Sequence, residues 1–183
     1  WSSQTSGTSE NLNAVHFFDS NTGWAVGNDA KILKTTDGGS NWSTVIIVSG
    51  ADLNEVVAIS SDKAFFIGNE VWYTINGGIG GGTSYSAGSQ DWNSADFIDS
   101  NTGYVVGSGG AILKTADGGS NWSSQTSGTA NDLLGVHFVN SNTGWAVGES
   151  GTILKTINGG TSWSSQTSGT TADYLSVHFI DSN

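Results

Sequence analysis

The chain has 183 residues, of which 16 are Asp or Glu and 5 are Lys, so its formal net charge is −11 and its pI is about 4.2. Because binding to a phosphate backbone requires basic side chains, this balance disfavours nucleic acids and anionic membranes as partners. The absence of cysteine excludes disulfides, thiolate metal sites and thiol catalysis. No apolar run reaches the roughly 18 residues of a membrane span and no leader precedes Trp1, which predicts a soluble, mature chain or a fragment.

Short apolar runs separated by Gly, Asn, Asp and Ser recur along the whole sequence. GWAVG at Gly23 returns as AFFIG at Ala64, GYVVG at Gly103 and GWAVG at Gly144, at intervals of about 40 residues. The pattern predicts short strands and tight turns, and no segment has a sustained helical period. The strands predicted for the first unit are A at 12–18, B at 23–27, C at 31–35 and D at 42–48.

Four short strands in a unit of about 40 residues are typical of a propeller blade. We therefore predict an all-β fold, a β-propeller of four-stranded blades that forms a single domain over residues 1–183. The runs AVHFF and GWAVG are almost continuously apolar, which predicts burial of both faces of these strands between blades. The four full units are expected at approximately 8–48, 49–89, 90–128 and 129–169, with a partial blade from 1–7 and 170–183.

The two ends of the sequence correspond to parts of one further repeat. WSSQTSG at the start matches a D strand and YLSVHFIDSN at the end matches an A strand, whereas the B and C strands between them are absent. Three explanations are open. The chain is a fragment of a protein with five or more blades, which we favour; or its open edge is filled by another subunit, giving dimers or filaments; or it is an engineered repeat sequence.

The connection between strands C and D carries the most regular motif, T-x-[DN]-G-G-x-x-W. Asp-Gly and Asn-Gly tolerate the positive φ of tight turns, and the Asp or Asn side chain can accept hydrogen bonds from turn N–H groups. The following Trp is expected to bury its ring behind the turn. We predict a structural role for the turn residues Asp37, Asn76, Asp117 and Asn158 and for the rings of Trp42, Trp122 and Trp163.

This motif is similar to the Asp-box of bacterial-neuraminidase-type repeats. The longer pattern GWAVGxxGxILKTxxGGxxW resembles the photosystem II assembly and stability factor family of propellers. The resemblance covers nearly all of the chain, and it implies a non-enzymatic propeller that docks partner proteins. The second unit departs from it, because it lacks the closing Trp and contains a glycine-rich excursion at 76–91.

Histidine recurs at one repeat position, as His16, His137 and His178. A ring of metal ligands around the propeller axis would require a histidine at this position in each unit. The same position is Val57 in the second unit and Asp96 in the third, so the ring is broken. We favour histidines that pack or hydrogen-bond between blades, and we predict no metal and no cofactor.

Catalysis is not expected from this sequence. Sialidases with Asp-boxes clamp the substrate carboxylate with arginines, and this chain has none. A glycosidase with two carboxylates is possible in principle, but nearly all acids fall in turns at equivalent repeat positions, which favours solvated surface. No phosphate-binding loop, zinc-protease helix or nucleophile elbow occurs, so we assign no catalytic residue.

Acidic residues mark the loops at both ends of the predicted blades. This suits a cationic protein partner or a weak Ca²⁺ site, although charge for solubility is the simpler interpretation. The D–A and B–C loops form a possible binding rim with Glu10, Asp29, Asp52, Glu70, Asp132, Glu149 and Asp173. The opposite loops carry Asp19, Asp37, Asp62, Asp99, Asp117 and Asp181.

These observations favour a non-catalytic scaffold or protein-docking module, outside the cell or on the outer face of a membrane. Two alternatives stay open. One is a structural subunit that assembles through open blade edges into oligomers or filaments. The other is a glycan-binding or glycoside-hydrolase-like module. We expect a protein partner, possible self-association, no nucleic acid and no membrane insertion.

Overall fold

The computed structural model describes residues 3–45, 50, 52–78, 81–85 and 90–181. These residues form sixteen strands in four antiparallel four-stranded sheets, and each sheet contains four strands that are consecutive in sequence. Two single 3₁₀ turns lie at Ser108–Gly110 and Glu149–Gly151. In this part of the chain no helix is long and apolar enough to cross a membrane. The predicted all-β class is therefore confirmed.

The described residues up to Tyr85 form one compact unit. It contains two sheets in which each strand pairs with its neighbour in sequence. The first sheet consists of β1 (Leu12–Phe17), β2 (Gly23–Gly27), β3 (Ile32–Thr35) and β4 (Ser43–Val45). The second consists of β5 (Leu53–Ala58), β6 (Ala64–Gly68), β7 (Val71–Thr74) and β8 (Gly81–Tyr85).

The described residues from Gln90 onward form a second compact unit with the same plan. Its first sheet consists of β9 (Trp92–Phe97), β10 (Gly103–Gly107), β11 (Ile112–Thr115) and β12 (Ser123–Gln125). Its second sheet consists of β13 (Leu133–Phe138), β14 (Gly144–Gly148), β15 (Ile153–Thr156) and β16 (Ser164–Ser165). Residues 174–180 follow without strand pairing, and the Tyr174 N–H donates to the Gly148 carbonyl at 3.1 Å.

The pairing of the first two strands of each sheet is interrupted at the same place. Leu12 faces Gly27 and Ala14 faces Val26, so the register shifts by one residue between them, and the other three sheets repeat this irregularity. A Cβ on Gly27 would lie 1.8 Å from the Asn11 carbonyl oxygen. The glycine that ends GWAVG is thus required by the close approach of two backbones.

Within each unit the two sheets pack face to face. In the first unit, Trp24, Val26 and Ile32 of the first sheet form a buried cluster with residues of the second, namely Leu53, Val56, Ala58, Ala64 and Phe66. In the second unit, Tyr104, Val106 and Ile112 do the same with Leu133, Val136, Phe138, Ala146 and Leu154. Within each unit, therefore, one face of the first sheet packs on one face of the second sheet.

The predicted strand bounds hold closely in the first unit. β2 has the predicted bounds, β1 and β3 are one residue shorter, and β4 begins one residue later than predicted. The predicted D strand also covers 46–48, which lie outside the described residues. The division into a single domain remains a prediction.

One burial prediction is wrong. The AVHFF run of β1 is largely exposed, and within the strand Leu12–Phe17 only Ala14 is half-buried. In contrast, β13 buries Leu133, Val136 and Phe138 at the equivalent positions. The difference arises because burial of this strand depends on a sheet that packs on its outer face, which β1 lacks within its unit.

Candidate functional site

The first C–D turn is organised by hydrogen bonds from two side chains. The Thr35 hydroxyl donates to Asp37 Oδ1 at 2.8 Å and accepts the Gly39 N–H at 2.9 Å. Asp37 Oδ1 also accepts the Asn41 N–H at 2.9 Å, and its Oδ2 accepts Asn41 Nδ2 at 2.7 Å. The Gly38 N–H donates to the Asn21 carbonyl in the preceding loop, so the turn is tied to its own sheet.

The other three turns repeat this arrangement. The Thr115 hydroxyl donates to Asp117 at 2.9 Å and accepts the Gly119 N–H at 2.8 Å. In the remaining two turns an amide oxygen replaces the carboxylate, and the threonine distances to Asn76 and Asn158 are 3.1 and 3.0 Å. Since the Asp and Asn side chains are engaged with their own turns, a structural role remains our interpretation of all four.

Hydrogen bonds lower the pKa of both turn aspartates. The Asn41 side chain has the largest effect on the pKa of Asp37, and the Asn121 side chain has the largest effect on that of Asp117. Backbone N–H groups and the threonine hydroxyls act in the same direction. The turns therefore hold these groups as carboxylates, which act as acceptors and not as proton donors.

The tryptophan after each complete motif makes an edge-to-face contact with the first strand of its sheet. Ring centroids lie 5.9 Å apart for Phe17 and Trp42 and 5.8 Å apart for Phe138 and Trp163. Trp122 contacts Phe97 in the same way at 6.1 Å. The rings are half-buried rather than fully buried, because each lies near the outer edge of its sheet.

A lysine on the third strand links the two sheets of each unit. Lys34 Nζ lies 4.7 Å from the centre of the Trp24 ring and donates to the Ser61 carbonyl at 2.8 Å and the Gly77 carbonyl at 3.3 Å. Lys114 Nζ donates to the Gly159 carbonyl at 2.8 Å. The buried Tyr104 hydroxyl donates to that same carbonyl at 2.9 Å, and burial raises the pKa of Tyr104 to about 12.

The repeated histidines hydrogen-bond between neighbouring strands. His16 Nδ1 accepts the Ala58 N–H at 2.9 Å. His137 Nε2 lies 3.0 Å from the Phe179 carbonyl, and its Nδ1 lies 3.4 Å from Asp96 Oδ2. The prediction of histidines that pack or hydrogen-bond between blades is confirmed for His16, whose partner lies in the second sheet, whereas His137 meets a carbonyl in the unpaired segment 174–180. Among the described residues, no three His, Cys, Asp or Glu side chains come together as a metal site would require.

Three of the acidic rim residues serve as ties between successive repeats. The carboxylates of Asp52, Asp132 and Asp173 accept N–H groups of Asp29, Gly109 and Ser150 at 2.8 to 3.0 Å. Each donor has positive φ, at 52°, 62° and 53°. Sequence reasoning missed this role, although an Asp directly before each of these A strands was its visible signal.

The other rim residues have different surroundings. Glu10, Asp29 and Glu149 are exposed, and Glu70 is half-buried. For Glu10 and Glu149, the described part of the chain records hydrogen bonds to backbone groups only and none to the carboxylates. The same holds for Asp29, whose recorded hydrogen bond is donated by its N–H. Glu10, Asp29 and Glu149 are therefore the rim acids best placed to meet a partner, and their role in binding stays a prediction.

The aspartates of the opposite loops also stabilise turns. Asp19 accepts the N–H groups of Asn21 and Thr22 at 2.7 and 2.6 Å, and Asp99 accepts the equivalent pair in the third repeat. These backbone hydrogen bonds lower the pKa of both groups. Asp62 Oδ1 lies 3.9 Å from Lys34 Nζ.

Repeated four-stranded sheets with Asp-box turns define the class of Asp-box β-propellers. The sequence matches the family described as Photosynthesis system II assembly factor YCF48 over residues 1–94 and 89–166, and the chain belongs to this family. No curated protein matches the sequence.

Solved structures support the propeller fold. A structure of YCF48 bound to D1 peptide is 16% identical, with a TM-score of 0.56, and the match covers 86% of this chain and 82% of that one. An ancestral GH74 enzyme is 19% identical with a TM-score of 0.73, over 89% of this chain. The GH74 enzyme of Niastella koreensis is 18% identical with a TM-score of 0.66, over 84% of this chain. The chain spans only 25% and 30% of these two enzymes.

Proposed function

We propose that this chain is a non-catalytic docking propeller that binds a protein partner with a cationic segment. The observation that carries the proposal is membership of the YCF48 family, in which a related structure holds a D1 peptide. The likeness to GH74 enzymes is one of fold, and it does not transfer their chemistry to this chain. We also propose that the protein is located outside the cell or on the outer face of a membrane.

The charge of the chain supports a cationic partner. Its net charge is −11, exposed Glu10 lies just before β1, and exposed Glu149 lies between β14 and β15. A negative surface attracts basic segments and accelerates their association, and the attraction weakens with salt. Because Asp52, Asp132 and Asp173 are committed to backbone hydrogen bonds, we assign recognition to the exposed acids Glu10, Asp29 and Glu149 and not to the whole rim.

A labelled peptide rich in Lys and Arg, compared with a Glu-rich peptide of equal length, tests this proposal. We expect saturable binding of the basic peptide that weakens between 50 and 300 mM salt, and no binding of the acidic one. The double variant Glu10→Gln and Glu149→Gln should weaken binding by about 3- to 10-fold, since rim charges contribute modestly. The matched control is Glu70→Gln, which should change binding less.

Two results would contradict the proposal. One is the absence of binding to both the basic peptide and a D1 peptide at low salt. The other is hydrolysis of a xyloglucan substrate by the purified chain, which would favour a glycoside-hydrolase-like module. Fractionation of cells that express the natural gene tests the proposed location.

A further inference from the structure

Two of the four Asp-box turns carry an amide that can react with its own backbone. Asn76–Gly77 and Asn158–Gly159 are the two Asn–Gly pairs of the sequence, and both lie in a segment TINGG, at 74–78 and 156–160. In such a pair the glycine nitrogen attacks the side-chain Cγ of the asparagine, because glycine has no side chain that obstructs the approach. Both asparagines are exposed. Since the two segments are identical, a difference in their reactivity comes from the fold around them.

The fold holds the side chain of Asn158 at both of its polar atoms. Its Oδ1 accepts the Thr156 hydroxyl and the Ser162 N–H, each at 3.0 Å, and its Nδ2 donates to Ser162 Oγ at 2.9 Å. The Gly159 N–H donates to the Asn142 carbonyl at 2.8 Å, and Gly159 is buried. The attacking nitrogen and the amide that it must reach are therefore both fixed by hydrogen bonds.

The side chain of Asn76 is held less firmly. Its Oδ1 accepts the Thr74 hydroxyl at 3.1 Å, and among the described residues this side chain makes no further recorded hydrogen bond. The residue that corresponds to Ser162 is Gly80, which has no side chain with which to bind the amide. Gly77, whose nitrogen is the attacking atom, is half-buried rather than buried. The amide of Asn76 is therefore freer to turn toward the backbone than that of the fourth repeat.

Aspartate fits this turn, because it occupies the same position in the first and third repeats. Asp37 and Asp117 accept the threonine hydroxyl there at 2.8 and 2.9 Å. Isoaspartate fits less well, because its methylene carbon is added to the backbone directly before Gly77. The Gly77 N–H donates to the Asp62 carbonyl at 2.9 Å, and the Gly77 carbonyl accepts the Lys34 ammonium group at 3.3 Å. The longer backbone would displace both contacts.

We propose that Asn76 is a site of spontaneous deamidation in the folded chain and that the fold protects Asn158 from the same reaction. The Gly77 nitrogen forms a bond to Asn76 Cγ and loses its proton, the Cγ–Nδ2 bond breaks, and ammonia leaves. Water then opens the resulting succinimide to aspartate or isoaspartate, with no change of oxidation state. Each event replaces a neutral amide by a carboxylate and adds one negative charge to the second sheet. The inference is independent of the proposed docking function.

Ageing of the native chain at mildly alkaline pH, followed by peptide mapping with mass spectrometry, tests the inference. Cleavage after lysine separates the two sites, because Lys63 and Lys114 bound the peptide with Asn76 and Lys155 precedes Asn158. Deamidation at Asn76 should be about 5-fold faster or more, since Asn158 has two additional side-chain hydrogen bonds. In concentrated urea the two rates should converge. Equal rates in the native chain, or faster reaction at Asn158, would overturn the inference.

A variant at Ser162 tests the protection itself. Ser162→Ala removes the hydroxyl that accepts Asn158 Nδ2 and should accelerate deamidation of Asn158 by about 2- to 10-fold. Ser164→Ala is the matched control, because its hydroxyl donates to the Lys155 carbonyl and not to Asn158. Neither variant should change the rate at Asn76. If Ser162→Ala and Ser164→Ala deamidate at the same rate, this contact does not protect Asn158 and the inference fails.

The variant Asn76→Asp separates the two products. It should unfold in urea at nearly the same concentration as the native chain, because the turn accepts aspartate in two other repeats. Aged chain that is enriched in isoaspartate at this position should unfold at a lower urea concentration. If the isoaspartate form is as stable as Asn76→Asp, the predicted displacement of the Gly77 contacts is wrong.

Discussion

At the residue scale, the chain uses small polar side chains in place of backbone partners. One threonine hydroxyl in each C–D turn donates to an Asp or Asn oxygen and accepts a glycine N–H from the same turn. Carboxylates before the A strands accept N–H groups from turns with positive φ. The buried N–H groups of Gly39 and Gly160 would otherwise lose their acceptor, which is costly, whereas the N–H groups that these carboxylates accept are exposed.

Replacing the turn threonine tests directly how much its hydrogen bonds stabilise the fold. Thr35 is 1% exposed, and Thr35→Val keeps its shape while removing the three hydrogen bonds of its hydroxyl, to the Asp37 carboxylate, the Asp37 N–H and the Gly39 N–H. We expect the free energy of unfolding to fall by about 1 to 3 kcal/mol, since the buried Gly39 N–H loses its acceptor. Urea unfolding measures the change. The matched control is Thr36→Val at the exposed neighbouring position, and an equal loss in both variants would contradict the prediction.

The pH dependence of stability follows from the lowered pKa values. Asp37 and Asp117 have folded-state pKa values below their ordinary value of 3.8. Their contribution is therefore present above that value and is lost as pH falls through the folded pKa. Urea unfolding between pH 7 and pH 3 should show a decline that begins near pH 4.

A double variant separates the turn aspartates from other acids. Asp37→Asn with Asp117→Asn should reduce the acid decline, and the turns should persist because Asn158 organises the same turn in the fourth repeat. Asp19 and Asp99 also have lowered pKa values, so part of the decline should remain. An unchanged decline in the double variant would show that these turns do not contribute.

At the scale of the element, the shifted register between the first two strands explains the glycine that ends GWAVG. The bulge brings the Asn11 carbonyl onto Gly27 and the Asp132 carbonyl onto Gly148. A side chain at either position would meet backbone, which cannot move aside as a flexible side chain can. The apolar pattern predicts the strands, but the bulge sets where each strand ends.

Substitution at this glycine has a clear expected outcome. Gly27→Ala places a Cβ 1.8 Å from the Asn11 carbonyl oxygen, so the two strands must separate. We expect a loss of about 1 to 3 kcal/mol or more in thermal or urea unfolding. Gly82→Ala is the control, because its Cβ would meet the Tyr73 ring at an ordinary 3.5 Å. Comparable losses in both variants would assign the effect to glycine propensity and not to the bulge.

At the scale of the whole molecule, the two repeats of each compact unit are joined by apolar faces and by a few polar contacts between their sheets. Within each unit, a lysine of one sheet binds the turn carbonyl of the next. The lysine at the equivalent position of the last sheet, Lys155, lies 4.9 Å from the centre of the Trp145 ring. For its ammonium group, the described part of the chain records no carbonyl partner. The equivalent lysines therefore make different contacts in different repeats.

Three matched substitutions measure how much the contact between lysine and the turn carbonyl contributes to the free energy of unfolding. Lys34→Met and Lys114→Met each remove charge-assisted hydrogen bonds to carbonyls, and we expect a loss of about 1.5 to 3 kcal/mol. Lys155→Met removes only the ring contact and should cost about 1 kcal/mol or less. Urea unfolding of the three variants checks the order. Equal losses would show that contact with the aromatic ring dominates.

The sequence by itself determined the repeat length, the all-β class, the four Asp-box turns and the family. These are local properties, because the spacing of Gly, Asp and Trp and the apolar runs between them specify strands and turns wherever they occur. It also predicted histidines that pack or hydrogen-bond between blades, as His16 does, because buried polar groups are usually satisfied.

Only the tertiary structure decided which acids of the predicted binding rim are committed to turns and which face solvent. Asp132 and Glu149 are equally acidic in sequence, yet one ties two repeats together and the other is exposed. The same holds for AVHFF, whose apolar pattern suggested burial although Val15 is exposed in the first sheet and Val136 is buried in the fourth. The physical reason is that burial and hydrogen bonding depend on which surface lies opposite a residue, and a repeating sequence contains no record of that.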